Sequence, residues 1–342
     1  MKSAHRVGLL MLLFTLVGLA LFVILFAQHG IADVAQALAR AGWGLAAVIA
    51  FHVITLFLDS LSWRALLPAA GRPSVGRLFF IHWIGDAVSA MLPVAQVGGE
   101  VVRVRLVAAR GVALPAAASS VLIGMTLSVA TQILFTLSGL VVLVFLADSS
   151  FDGAIVRTTI IASFVGILCV AGFYLVQRVG IFRIVMRIIS HIASDKAWEG
   201  LRNHGSDFDR ELHAAYARRA ALVESSLWTM ATWAAGAVEV WIALSALGIH
   251  ASYGHAYVLE SVSQGIRSAF FLVPGAVGFQ EGGYVSVGRL LGISAINALA
   301  LSLVHRAREI AFGIPGLVAW QWAEGRRLWR RPAAREALSQ SP

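Results

Sequence analysis

Long apolar runs without a single charged residue dominate this chain. One covers residues 7–27 and another covers residues 133–147. Runs of about 20 apolar residues are typical of transmembrane helices. Only 13% of the 342 residues are charged, whereas soluble globular chains have about 25%. The sequence therefore predicts an all-α polytopic membrane protein in which residues 1–342 form one membrane domain.

The apolar segments are of two kinds. Six have the length of a full span: residues 7–27, 43–66, 112–147, 154–176, 222–247 and 295–322. Two others, residues 75–107 and 257–291, contain proline and glycine. The interrupting residues are Pro93, Gly98 and Gly99 in the first and Pro274, Gly275 and Gly278 in the second. Because proline removes a backbone donor and glycine is a poor helix former, we predict a helix break in each segment.

The similarity of the two interrupted segments extends beyond the breaks. At one constant offset of 181 residues, Pro93, Glu100 and Gly111 align with Pro274, Glu281 and Gly292. Residues 43–147 then form a first repeat and residues 222–322 a second. Inverted repeats with broken membrane helices are common in transporters, where two similar units exchange roles on the two sides of the membrane. The alternative is a chance similarity between two Gly/Pro turns.

The distribution of the 27 Lys and Arg residues predicts the orientation. Cytoplasmic loops carry an excess of these residues. Most of them fall in the N-terminus, the turns at 64–77 and 103–110, the connecting loop at 177–219 and the basic tail at 326–342. These segments share one side only if both interrupted segments are re-entrant hairpins, the first entering from the cytoplasm and the second from outside. Both termini are then cytoplasmic.

The connecting loop contains an amphipathic stretch. Arg183, Arg187 and His191 are spaced four residues apart, and isoleucine and valine residues fill the opposite helical face. This pattern is typical of a helix that lies on a membrane surface. The alternative is a linker helix that joins the two repeats.

Ionisable residues inside the predicted membrane segments are candidates for a functional site. Each costs about 2.5–3.5 kcal/mol to insert unless it has a partner or a hydrated cavity. The candidates are Asp59, Asp86, Glu100, Glu239, Arg267, Glu281, His305, Arg306, Arg308 and Glu309. Arg306 and Glu309 are three residues apart and are expected to pair on one helix face. Arg308 lies on another face, which we expect to point to the interior or to the second hairpin.

A long-range contact is also predicted. Asp86 and Arg267 each precede the proline of their segment by seven residues. They therefore occupy equivalent positions in the two repeats with opposite charge. We predict that they meet across the pseudo-twofold axis.

Two interpretations of these charges remain open. In the first, the charges only hold the hairpins against neighbouring helices. In the second, Arg267, Arg306 or Arg308 binds a lipid phosphate, which suits the bidentate guanidinium group. Glu281 then pairs with an arginine in the unloaded state, and the other hairpin carboxylates contribute to binding or gating. Residues 124–128, which align with 305–309, are uncharged, so anion binding is expected mainly in the second repeat.

Other classes of function are not supported by the residue patterns. No HExxH, GxSxG or P-loop motif is present, so we predict that the chain is not an enzyme and binds no cofactor. The single cysteine, Cys169, excludes an intramolecular disulfide and a CxxC metal site. No basic stretch interleaved with aromatic residues suggests nucleic-acid binding.

Several stretches resemble the flippase-like membrane family that includes the transmembrane region of lysylphosphatidylglycerol synthase. They are LPVAQVGGEVVRVRLV, VPGAVGFQEGGY and ALSLVHRAREIAFGIPGLVAW. SSVLIGMTLSVATQILFTLSGL and FLVPGAVGFQEGGYVSVGRLLG look most like the branch associated with hopanoid biosynthesis. The resemblance implies a bacterial inner-membrane protein that moves or handles lipids. Its implied partners are membrane lipids with an anionic headgroup, or hopanoids, and lipid-biosynthetic enzymes.

We therefore expect flippase-like lipid translocation. The substrate would be a phospholipid, a modified lipid or a hopanoid, and the repeats would rock around a central polar cavity. One alternative is a non-transporting membrane partner that scaffolds lipid-biosynthetic enzymes. Another is an intramembrane transferase.

Overall fold

The computed structural model describes residues 16–17, 19–25, 27–28, 30–92, 97–146, 205–269 and 276–339. All regular structure in these ranges is helical, which confirms the predicted all-α class. The predicted span at 154–176, the amphipathic stretch around Arg187, and the break residues Pro93, Pro274 and Gly275 lie outside the described residues.

The described residues form ten helices after an N-terminal stretch. In chain order they are α1 (Ile31–Ala41), α2 (Trp43–Leu66), α3 (Val75–Met91), α4 (Val97–Ala108), α5 (Leu114–Leu146), α6 (Gly205–Ala217), α7 (Arg219–Ala246), α8 (Tyr253–Ala269), α9 (Phe279–Leu290) and α10 (Ala295–Ser339). The described residues between 16 and 28, which we call the N-terminal segment, are also helical.

Three helices in the described ranges are long and apolar enough to cross a membrane: α2, α5 and α7. They coincide with three of the predicted full spans. The fourth long helix, α10, carries charged residues in its first half, among them Arg306 and Arg308. The total of six full spans stays a prediction.

Both interrupted segments consist of a longer and a shorter helix of matching lengths. Helices α3 and α8 each have 17 residues, and α4 and α9 each have 12. A 12-residue helix is about 18 Å long, whereas the hydrocarbon core is about 30 Å thick. Neither short helix can therefore span that core alone. We call α3–α4 the first hairpin and α8–α9 the second hairpin; their re-entrant path stays a prediction.

Two of the predicted break residues are not in a break. Helix α4 begins at Val97, so Gly98 and Gly99 lie in its first turn. The reason for Gly99 is close packing, since a Cβ there would overlap the carbonyl oxygen of Gly85 on α3. Gly278 does fall at a break: it is the N-cap of α9 and has a positive φ of 82°, which favours glycine.

Replacing Gly99 with alanine should separate α3 from α4. We expect a loss of about 1–3 kcal/mol in the free energy of unfolding, because the added methyl group overfills a packed contact. The matched control is Gly76→Ala in α3, where a Cβ meets nothing within 4 Å. Thermal unfolding in detergent measures both variants. Equal melting temperatures for the two would contradict the close approach.

Helices α2 and α7, which are equivalent in the predicted repeat, pack against each other in antiparallel orientation. His52 lies 2.9 Å from Glu239 at one end of the contact. Ser62 lies 2.9 Å from Ser225 at the other end. Polar side chains hydrogen-bonding across helices are typical of membrane interfaces.

Each hairpin also packs against the long helix of the opposite repeat. In the first hairpin, Trp83 on α3 donates from Nε1 to Phe312 O on α10, at 3.0 Å. In the second, α8 packs on α5, where Thr136 donates to Ser261 O at 3.0 Å. The two packing pairs, α3–α10 and α8–α5, correspond to each other when the repeats are exchanged.

Two local features also correspond at the offset found in the sequence. Helices α5 and α10 begin at Leu114 and Ala295, 181 residues apart. Gly111 and Gly292, which align at the same offset, have positive φ values of 97° and 74°. Each therefore allows the turn that precedes the long helix.

Two amphipathic helices close the ends of the helix bundle. Val34 and Ala37 of α1 are buried in the largest apolar cluster, together with Ile293. Phe208 of α6 packs against Leu66 at the end of α2. Helix α1 also packs against α10.

Candidate functional site

The second hairpin is attached to α10 through a buried carboxylate. Glu281 is fully buried and is the third residue of α9. Its Oε2 accepts the Gly278 N–H at 2.7 Å, which caps the helix. Its Oε1 accepts from Arg306 Nη2 at 3.1 Å and from Nε at 3.2 Å. Glu281 therefore pairs with an arginine, as the sequence predicted.

The ion pairs continue from α10 to α8. Arg306 Nη1 donates to Glu309 Oε2 at 3.2 Å, so the predicted pair on one helix face is present. Glu309 Oε1 lies 2.9 Å from Arg267 Nη1 on α8. We call Arg267, Glu281, Arg306 and Glu309 the second-hairpin network. It links three helices through two acids and two bases.

The predicted contact between Asp86 and Arg267 is wrong. Asp86 instead pairs with Arg103 of its own hairpin, and Arg267 pairs with Glu309. The packing explains this outcome: α3 and α8 do not pack against each other, since α3 lies mainly against α4 and α10 and α8 lies mainly against α5 and α7. Equivalent positions on the two hairpins are therefore directed to different helices.

A second set of charges lies within the first hairpin and its neighbour α2. Arg103 donates to Asp86 and, at 2.8 Å, to Glu100 Oε1. The Nε2 atom of His82 lies 3.6 Å from both Asp59 and Asp86. We call these five residues the first-hairpin cluster. Arg103 and His82 were not predicted as site residues, although Arg103 follows Glu100 at the helical spacing of three.

A third group of charges joins α7 to α10. Arg308 donates to Glu239, whose side chain is fully buried. His52 on α2 donates from Nδ1 to the other Glu239 oxygen at 2.9 Å. Arg308 thus points to the interior, on a different face from Arg306, as predicted. His52 was missed because nothing in its local sequence indicates an acidic partner on a distant helix.

Comparison with known proteins identifies the family. The model of the lysylphosphatidylglycerol synthase TM region matches residues 9–316. The chain belongs to this family. No curated protein and no solved structure matches the chain. The matched range contains both hairpins and all three groups of charges, and membership indicates a lipid-related function in a membrane.

Three arginines of the second repeat are already paired with carboxylates. Arg267, Arg306 and Arg308 each form an ion pair with a carboxylate. The first-hairpin cluster contains three carboxylates but one arginine, with His82 beside them. An anionic ligand that binds one of these three arginines must therefore compete with a bound carboxylate.

Around the second-hairpin network, several buried polar atoms have no hydrogen-bond partner. They are Glu260 Oε2, Ser263 Oγ, Gln280 Oε1 and His305 Nε2. These residues come from α8, α9 and α10, the same helices that form the network. Buried polar groups normally have a partner, so a polar ligand group or water would find donors and acceptors here. The described residues contain no group of three or more His, Cys, Asp or Glu side chains arranged to hold a metal ion.

Proposed function

We propose that this protein translocates an anionic lipid between the leaflets of a bacterial inner membrane. The observation that carries the proposal is the second-hairpin network. In this network Arg306 on α10 pairs both with Glu281 on the short helix α9 and with Glu309 on α10. A lipid phosphate can replace a carboxylate on a guanidinium group, because both accept paired N–H donors.

The packing of the repeats supports a transport mechanism. Antiparallel contact between the equivalent helices α2 and α7 is the arrangement expected for an inverted repeat. Each hairpin packs on the long helix of the opposite repeat. Rocking of one repeat against the other would therefore move both hairpins together.

The network suggests how a headgroup would enter this motion. With Glu281 bound to Arg306, the second hairpin is fastened to α10. When a phosphate binds Arg306 in place of Glu281, this ion pair is lost and the hairpin can shift along α10. The unpartnered atoms on α8, α9 and α10 would then hydrate or bind the headgroup. Within this proposal the chain has no catalytic role, both termini are cytoplasmic, and the lipid is a phospholipid, a modified phospholipid or a lipid of hopanoid metabolism.

Reconstitution tests the proposal directly. Purified protein in vesicles with fluorescent phosphatidylglycerol in one leaflet should transfer the label to the other leaflet. We expect Arg306→Ala and Glu281→Gln each to lower the transfer rate about tenfold or more, the loss expected for one charge-assisted interaction. Arg306→Lys, which keeps the charge but not the planar fork, should fold normally and transfer slowly.

The matched control is Arg40→Ala, because Arg40 is exposed on α1. Wild-type transfer by both Arg306→Ala and Glu281→Gln would overturn the proposed role of the network. No lipid movement, together with co-purification of lipid-biosynthetic enzymes, would instead support the scaffold alternative. Covalently altered lipid would support an intramembrane transferase.

A further inference from the structure

A cavity of about 440 Å³ lies beside the second hairpin, apart from the ion pairs. The N-terminal segment forms one wall with Leu21, Leu25 and Gln28. Ile266 of α8 and one face of α9 form the rest of the lining. Leu19, Val23 and Ile24, on other faces of the N-terminal segment, are about half exposed, at 51%, 56% and 49%. In a membrane these faces contact lipid, so the cavity lies at the lipid boundary.

The α9 wall is a continuous stripe along the helix. Phe279, Gly282, Ser286 and Arg289 follow each other at intervals of three or four residues, with Gly283 beside them. Ten residues of helix rise about 15 Å, so the stripe is long and narrow. The two glycines keep side-chain atoms of α9 itself out of the middle of the stripe and let the walls formed by Leu21 and Ile266 come close to α9. A Cβ at Gly282 would lie 3.6 Å from Leu21, and one at Gly283 would lie 3.1 Å from Ile266.

The polar residues of the lining lie at one end. Arg289 is in the last turn of α9, and Ser286 is one turn earlier. Gln28 lies just before α1, and α1 packs against α10, the helix that follows α9. The cavity therefore changes along its length from an apolar floor to an end with amide, hydroxyl and guanidinium groups.

Arg289 differs from the arginines of the second-hairpin network. It is exposed, and no carboxylate among the described residues forms an ion pair with it. An arginine at the end of an apolar stripe complements an anionic headgroup attached to an acyl chain. Because the N-terminal segment and α9 both end here, the predicted orientation places this end at the outer surface.

We propose that this cavity binds one acyl chain of an anionic phospholipid, with the lipid phosphate on Arg289. The chain lies along Gly282 and Gly283, and Gln28 and Ser286 contribute hydrogen bonds to the headgroup region. The site would receive or release lipid in the outer leaflet next to the hairpin. This inference deepens the proposed lipid function, but binding here does not require that the protein transports lipid.

Photocrosslinking in vesicles tests the site. The probe is phosphatidylglycerol with a photoreactive group midway along one acyl chain, diluted into phosphatidylcholine vesicles that contain the full-length protein. In the wild type, mass spectrometry should find crosslinks in the segments 21–28 and 279–289. Gly282→Leu places a side chain in the stripe and should lower these crosslinks about tenfold. This is the loss of affinity expected when the acyl chain can no longer bury an apolar area about the size of one side chain. Its control is Gly76→Leu, which adds the same side chain where a Cβ has open space.

The headgroup is tested with a second variant and a second probe. Arg289→Gln should weaken crosslinking of the phosphatidylglycerol probe about tenfold, and should leave crosslinking of a diacylglycerol with the same photoreactive chain unchanged. Arg40→Gln, at another exposed arginine, should change neither. Equal crosslinking of the two probes by the wild type would overturn the phosphate site. Crosslinks that persist in Gly282→Leu would overturn the acyl-chain site.

The two proposals fail separately. Crosslinking to the cavity without lipid transfer in vesicles would remove the transport function and keep the site. Lipid transfer with no crosslinks in these segments would keep the transport function and remove the site.

Discussion

Glu239→Gln should lower the free energy of unfolding by about 3–5 kcal/mol, the usual cost of breaking a buried ion pair from one side. Glu239 is fully buried, and its partner Arg308 is only 11% exposed. Glutamine has nearly the same shape, so it leaves no cavity. The cost arises because Arg308 keeps its charge inside the bundle without its ion-pair partner.

Thermal unfolding in detergent, followed by size-exclusion chromatography, measures this effect. The matched control is Glu224→Gln, which removes an exposed carboxylate from the same helix and should leave the melting temperature within error. Adding Arg308→Met to Glu239→Gln should recover part of the loss, since replacing both charges of a buried pair is often close to neutral. Strictly additive losses in the double variant would show that the pair is not energetically coupled.

Arg103→Met should have an effect of similar size on the first hairpin. Arg103 contacts both Asp86 and Glu100, so its removal leaves both carboxylates without the one arginine that pairs with them among the described residues. We expect a loss of about 3–5 kcal/mol. Because methionine fills much of the same space, the loss comes from charge more than from packing.

Two further variants isolate this charge effect. Arg110→Met removes an exposed arginine just after α4 and should be neutral. Arg103→Lys keeps the charge but lacks a fork that reaches both acids, so its melting temperature should fall between those of the wild type and Arg103→Met. A melting temperature for Arg103→Met equal to that of Arg110→Met would contradict the assigned role of Arg103.

The two hairpins use their charges differently. In the first, the ion pair between Arg103 on α4 and Asp86 on α3 holds the two hairpin helices together. In the second, Arg306 and Glu309 lie on α10, so the ion pairs join the hairpin to a different element. Under the proposed function, a ligand that binds Arg306 would change how the second hairpin is attached. This difference agrees with the sequence comparison, in which charges at 305–309 have no counterpart at 124–128.

Much of the architecture could be predicted because its causes are local. Charge-free apolar segments are typical of membrane helices, and three of them are the apolar helices α2, α5 and α7. Helix breaks were predicted from proline and glycine, and both segments are in fact divided into two helices. The Arg306–Glu309 pair follows from helical spacing alone.

The contacts that were not predicted from the sequence depend on packing between distant segments. Sequence periodicity shows which face of a helix is polar, but not which helix will lie opposite it. For that reason Asp86 and Arg267 were wrongly paired, and His52 was not connected with Glu239. Gly99 was assigned to a break, whereas its role is to let two helices come close. The amino-acid sequence alone was enough to establish a helical membrane protein with two broken elements, because burial in lipid and backbone chemistry act residue by residue. Only the tertiary structure decided which charges neutralise each other, because a buried ion pair forms where packing brings two helix faces within a few ångströms.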